Sequence, residues 1–245
     1  MLFSTDMVRS LDKNIKTETR RLRGLDKINE SPNDWFLREA DWPHISKKHK
    51  RYRTNYIFTN SGLSTEEKWV YHEVLCPYGE VGDVIWVRER FVQSIVYDEF
   101  GNIQRDELGE TLKTFLYYAT EGQTEIDWID EDGNNGAPIP WKPNMHMPKA
   151  ACRLFLEITS IRVERLHDIS EADAMCEGVE KHHHGWKKYT PHNPSGFGVT
   201  GVCMTTAYAS FETLWTSISG PESWEANPYV WVIKFKKVEK PVDFV

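Results

Sequence analysis

From Ala151 to Leu166 the chain reads ACRLFLEITSIRVERL, in which apolar and polar residues alternate over most of the length. A period of two sends alternate side chains to opposite faces of an extended backbone, so this run predicts a long strand with one face in a core. A bulge or turn is expected near Thr159–Ser160. Such a strand needs partners, and other β-branched and aromatic runs supply them. Val84 to Phe91 is the strongest strand signal in the first half, and YVWVIKFKKV at 229–238 follows a turn at Asn227–Pro228. TNYIFTNSG and KWVYHEVL predict two strands joined at Ser61–Gly62, and LKTFLYYAT predicts one more within a hairpin of long loops.

Three helices are expected. Ser4 or Thr5 caps a short one with Met7, Val8 and Leu11 on its apolar side and a stop at Asn14. SEADAMCEG has Ser170 as its cap, Asp173 at the reciprocal capping position and Gly178 as a left-handed stop. Ala209 to Ser219 is amphipathic through Phe211, Leu214, Trp215 and Ile218. KTETRR at 16–21 reads as a loop, and residues 24–53, with many charges and two prolines, read as an insertion with little regular structure. The summed order predicts an α+β fold with a mostly antiparallel sheet or small barrel. At 245 residues the chain fits a single domain, with insertions at about 24–75, 97–145 and 180–207.

Charge and cysteine usage narrow the function. A formal charge of −7 argues against a protein that coats nucleic acid through a basic surface. Two local basic clusters remain: Lys16, Arg20, Arg21 and Arg23, and then Lys47, Lys48, Lys50, Arg51 and Arg53 interleaved with Tyr52 and Tyr56. The second is either a solvated face or a nucleic-acid contact, with Trp42, Tyr52 and Tyr56 as candidate stacking platforms. Trp86, Trp215 and Trp231 are expected in the core. Cys76, Cys152, Cys176 and Cys203 form no CxxC pair, so free thiols are expected, with no cofactor and no metal. His182, His183 and His184 fit no standard zinc spacing and suggest an exposed loop over a cleft. With no apolar run of membrane-spanning length and no secretory start, a cytoplasmic protein is expected.

Four segments together resemble the ASCH family of the PUA-like superfamily: KTETRR at 16–21, GDVIWVRE at 82–89, LEITSIRVERLHDISEADAMCEG at 156–178, and NPYVWVIKFKKV at 227–238. CPYG, the HMP at 146–148 and the Trp224-x-x-Asn-Pro segment resemble long bacteriophage and prophage members. The resemblance implies a PUA-like, mostly antiparallel β-barrel with short flanking helices and long insertions, acting in a bacterial host cell on RNA or modified nucleosides. In small family members the domain is an amidohydrolase on N4-acetylcytidine. Its lysine, threonine and glutamate match Lys16, Thr19 and Glu177, and its arginine matches Arg21. The alternatives are a binding module that reads RNA or modified nucleic acid, a ribonuclease, or an assembly role in phage biology.

The residue types suit amide hydrolysis. An amine beside Arg20 and Arg21 is pushed toward its neutral form, so Lys16 can act as a base toward the Thr19 hydroxyl or a water. Arg21 cannot lose its proton and suits an oxyanion or phosphate, with Arg20 beside it as a second substrate-binding cation. Glu177 ends its helix, where the negative end of the dipole disfavours a carboxylate; stability alone would put a cation there. Strict strand alternation would separate Lys16 from Thr19, so the catalytic reading requires a bend within 16–19.

Overall fold

A computed structural model describes residues 1, 3–39, 44–45, 52–53, 56–65, 68–121, 138–189 and 203–244. In chain order it runs α1 (Thr5–Asp12), β1 (Glu18–Arg21), α2 (Asp26–Asn29), β2 (Trp35–Glu39), β3 (His44–Ile45), β4 (Tyr52–Arg53), β5 (Tyr56–Thr65) and β6 (Lys68–Val74). Then come β7 (Val84–Trp86), β8 (Phe91–Ile95), β9 (Lys113–Tyr117), α3 (Tyr118–Glu121), β10 (Phe155–Arg165) and α4 (Glu171–Cys176). The hairpin β11 (Lys181–His182) and β12 (Gly185–Trp186) precedes α5 (Ala207–Ser219), α6 (Pro221–Glu225) and β13 (Tyr229–Val238). The architecture is α+β with mostly antiparallel sheets, one of them curled into a half-barrel. No helix among the described residues is long and apolar enough to cross a membrane.

The chain divides into two compact units. The first comprises Met1–Lys13, Trp86–Leu156 and Val238–Val245. Here β8 pairs antiparallel with β9, from Phe91 opposite Tyr117 to Ile95 opposite Lys113. Phe91, Met147, Ala151, Cys152 and Phe155 form its core, with Phe115, Tyr117 and Phe244 packed against them. Ser4 caps α1 by accepting from the Met7 amide, as its hydroxyl suits. The Arg153 guanidinium forks between Asp12 and the buried Glu89, at 2.8 Å from each.

The second unit, Asn14–Ile85 and Glu157–Lys237, holds the four-stranded sheet apart from residues at strand ends, in the order β1-β13-β10-β7. A three-stranded sheet, β2-β5-β6, belongs to it as well. Leu166, Ile169, Ala174, Phe211, Trp215, Val230 and Val232 pack α4 and α5 onto the larger sheet. Burying that many apolar side chains is the main favourable term holding the helices there. The Glu171 carboxylate of α4 accepts the first amides of α5, Ala207 at 2.6 Å and Tyr208 at 2.9 Å, and so fixes one helix to the other through its positive end.

The alternating run before Leu166 and the β-branched and aromatic run at 229–238 form strands as expected, and Ser170 and Gly178 bound α4, the glycine at φ 90°. Other expectations are corrected. Residues 24–53 carry α2 and β2, because Leu25, Ile28 and Trp35 bury their side chains despite the polar surroundings and β2 pairs with β5 along its length. The Asn29 side chain also holds the Tyr229 backbone at both its N–H (2.8 Å) and its carbonyl (2.9 Å). No turn breaks the chain at Ser61–Gly62: β5 continues to Thr65, and a register shift between Asn60 and Thr65 absorbs the irregularity. KTETRR is a strand from Glu18 onward rather than a loop, since β13 offers it a ladder. The run from Val84 stops at Trp86, and Phe91 starts a separate strand in the other unit. Ile218 is 57% exposed, so the apolar stripe of α5 ends at Trp215.

Candidate functional site

β1 is an edge strand, and its partner fixes which way its side chains point. Glu18 lies opposite Lys234, Thr19 opposite Ile233, Arg20 opposite Val232 and Arg21 opposite Trp231. Alternation puts Glu18 and Arg20 on one face and Thr19 and Arg21 on the other. Thr17 secures the strand's start: its carbonyl accepts from the Phe235 amide and its own amide donates to the Cys176 carbonyl, both at 2.9 Å. This second bond ties the end of α4 to the edge of the sheet. Glu177, the C-cap of α4, therefore stands beside Lys16.

The contact is direct. Lys16 Nζ donates to the Glu177 carboxylate and to the Glu177 carbonyl, each at 2.7 Å. Arg20 donates to the other carboxylate oxygen at 3.0 Å. Behind them lies an ion network: Arg20 with Glu18 at 2.8 Å and Glu164 at 2.6 Å, and Arg162 with Glu18, Glu164 and Asp173. Lys234 meets Glu18 and Asp173, each at 3.2 Å. Four cations (Lys16, Arg20, Arg162, Lys234) thus face four anions (Glu18, Glu164, Asp173, Glu177). Such matching is what allows charges to stay buried, because taking an ion out of water is expensive unless a partner compensates.

Solvent reaches little of the inner pair. The Lys16 side chain is 0% exposed and that of Glu177 4%. Burial lowers the Lys16 pKa from its ordinary value; Glu177 opposes the shift, while Arg21 and Arg20 add to it. Arg20 is also desolvated, but the carboxylates of Glu177, Glu164 and Glu18 outweigh burial and hold its proton more tightly. Burial lowers the Arg21 pKa, against the attraction of Glu177 and Tyr78. Arg21 is thus electrically coupled to Glu177 across the strand edge while its side chain belongs to the opposite face from Arg20.

Thr19 stands apart from the amine. It is 1% exposed, its hydroxyl has no hydrogen-bonding partner among the described residues, and it shares a face with Arg21 rather than with Arg20. Of the five residues singled out for the site, side-chain bonds join Lys16, Arg20 and Glu177. Glu18, Glu164, Arg162, Asp173 and Lys234 were not anticipated as neighbours of the site; the signal for Arg162, Glu164 and Lys234 was the row of charges at alternate positions in IRVER and KFKK.

The remaining candidates lie elsewhere. Lys47, Lys48, Lys50 and Arg51 fall outside the described residues, and Tyr52 and Arg53 are described only as backbone in β4. Trp42 also falls outside. His182, His183 and His184 are exposed at the β11–β12 hairpin. Among the described residues, no group of three His, Cys, Asp or Glu side chains could hold a metal ion. Tyr56 is half-buried, with its hydroxyl donating to the Ile161 carbonyl at 2.6 Å and its ring edge-on to Trp231 at 5.2 Å. No protein-family model, curated protein or solved structure matches this chain.

Proposed function

We propose that the chain is a hydrolase of the PUA-like ASCH type that removes an acyl group from a modified pyrimidine nucleoside. The observation that carries the reading is the contact between Lys16 and Glu177, a buried amine 2.7 Å from a carboxylate that is 161 residues away in sequence. A stable core needs no such pair: well-packed apolar residues of similar size usually serve stability as well or better. Buried groups with displaced proton affinities in a defined constellation are typical of sites that move protons.

In this reading Glu177 is the group that meets the reacting water. Its carboxylate takes a proton as the water oxygen bonds to the acyl carbon, and returns a proton to the exocyclic nitrogen as the C–N bond breaks. The products are a free acid and the unacylated nucleoside. Lys16 and Arg20 hold the carboxylate in place; the amine, easier to deprotonate than an exposed lysine, relays a proton to and from it. The acyl group lies at the strand edge in this reading, where Arg21, electrically coupled to Glu177, is the cation that meets the developing oxyanion. Thr19 supplies a hydroxyl on the same side as Arg21.

Lys16 and Thr19 are closed to solvent in this state, so turnover requires the site to open and admit substrate. Incubating the purified chain with N4-acetylcytidine and separating products by chromatography tests the reading. Release of cytidine and acetate by the wild type and its loss in Glu177→Gln are expected; equal release by Glu177→Gln would exclude Glu177 as the proton carrier.

A further inference from the structure

Among the described residues, two side chains of the second unit carry a buried polar atom with no hydrogen-bonding partner: the Thr19 hydroxyl and the Trp231 indole nitrogen. Unpaired polar atoms are rare inside proteins and unfavourable where they occur, so each asks for an explanation. These two share a location. Arg21 lies opposite Trp231 and Thr19 opposite Ile233, and in an antiparallel ladder opposed side chains project the same way. Thr19, Arg21 and Trp231 therefore line one face, while the ion network gathers around Glu18 and Arg20 on the other.

The indole nitrogen is closed over by the chain's own atoms. Gly24, at φ +91°, passes so near that a Cβ there would sit 3.7 Å from Nε1 and 3.2 Å from Pro77. Tyr56 meets the Trp231 ring edge-on at 5.2 Å, and Tyr78 is electrically coupled to Arg21. Aromatic rings, a guanidinium and two unpaired polar atoms are thus concentrated at one place.

An indole N–H and a guanidinium can only donate, whereas a hydroxyl can donate or accept. The complementary ligand carries adjacent acceptors on a flat ring and needs no cation. A pyrimidine edge with a ring nitrogen and a keto oxygen meets that requirement, and an N4-acyl group adds a third acceptor. We infer that Trp231 reads the pyrimidine edge by donating its indole N–H to a ring acceptor, with Thr19 and Arg21 at the acyl end. This rests on the proposed deacylation and extends it by naming a specificity-determining residue that carries no charge and takes no part in proton transfer. Both unpaired atoms are closed to solvent, so the ligand binds to an opened form and satisfies them as the site closes around it.

The test replaces the indole at position 231 by benzothiophene, its sulfur isostere, which keeps ring shape and removes only the N–H. Melting temperature without ligand, affinity for cytidine and KM for N4-acetylcytidine are then measured on the full chain. The expected result is an unchanged or raised melting temperature, because no bond is lost and a buried unpaired donor is removed, with affinity and KM each weakened by about tenfold and kcat within a few-fold. Unchanged affinity overturns the inference, and so does a lowered melting temperature, which would mean that the N–H has a structural partner. If the wild type hydrolyses the substrate while the isostere matches it, this inference alone fails; if the wild type binds neither nucleoside, the deacylation reading fails with it.

Discussion

Lys16 and Glu177 meet at 2.7 Å at the edge of a four-stranded sheet, where the bond from the Thr17 amide to the Cys176 carbonyl fastens the end of a helix to a strand. The contact has unequal consequences for its two members. Glu177 is bonded by both Lys16 and Arg20, whereas the Lys16 amine donates to no side chain but Glu177 among the described residues. Glu177→Ala should therefore lower stability by about 3–5 kcal/mol, the usual effect of leaving a buried charge uncompensated. Lys16→Met, which replaces the amine by an apolar chain of similar length and leaves Arg20 on the carboxylate, should cost clearly less. Urea unfolding of both variants checks the order.

The lowered pKa of Lys16 makes its contribution depend on pH. Its main cause is burial, and the unfolded chain keeps the ordinary value of 10.5. Between the folded and unfolded values the unfolded chain holds more protons, so stability rises with pH across that window and levels off above 10.5. Below the folded value both states are protonated and the penalty for burying the charge is felt in full. The stability of the wild type relative to Lys16→Met should thus improve from neutral to about pH 10, a comparison that cancels titrations common to both. A difference that is flat or that falls would mean the amine is not desolvated as described.

Tyr56 titrates in the opposite sense. Burial, helped by the neighbouring Cys76, raises its pKa from 10.0 to about 12, and its hydroxyl donates to the Ile161 carbonyl. The folded chain therefore holds this proton more tightly than the unfolded one. The stabilisation is complete below pH 10.0 and is lost as pH rises toward about 12. Ultraviolet titration of phenolate should show a late-ionising tyrosine that disappears in Tyr56→Phe.

How much of this was legible beforehand depended on whether the cause was local. β10 could be read from its period-two alternation and β13 from its run of β-branched and aromatic residues, both properties of neighbouring residues, and α4 because Ser170 and Gly178 mark its ends. β2 could not, since its identity comes from pairing with β5 rather than from its own polar sequence. The nearness of Lys16 to Glu177 was implied only by the family resemblance. The network behind them was hidden for a different reason: Arg20 and Glu164, or Arg162 and Glu18, are 144 residues apart, and which of them share a face is decided by the order of strands in the sheet. Bringing Thr19 to Lys16 requires a bend within 16–19; the hydroxyl instead shares the Arg21 face and makes no bond to the amine.

The first unit offers an independent check on the energetics of paired charges. Arg153 spans Asp12 and Glu89, and the Glu89 side chain is 1% exposed. The guanidinium also lies 4.9 Å from the centre of the Tyr117 ring. Arg153→Ala should cost about 3–5 kcal/mol by removing the cation that compensates the buried Glu89 carboxylate. Adding Glu89→Gln in the same chain should recover part of the loss, because the remaining group is then neutral. Thermal unfolding of the single and double variants measures the recovery.

The central claim is that the buried pair at the sheet edge handles protons for an acyl transfer to water. Its most direct test is kcat/KM for N4-acetylcytidine in the wild type and in Lys16→Met, with circular dichroism confirming that the variant is folded. The account predicts a fall of roughly 100-fold to 10,000-fold, the range typical of removing one partner in proton transfer. A folded Lys16→Met chain that turns over the substrate as fast as the wild type would contradict it.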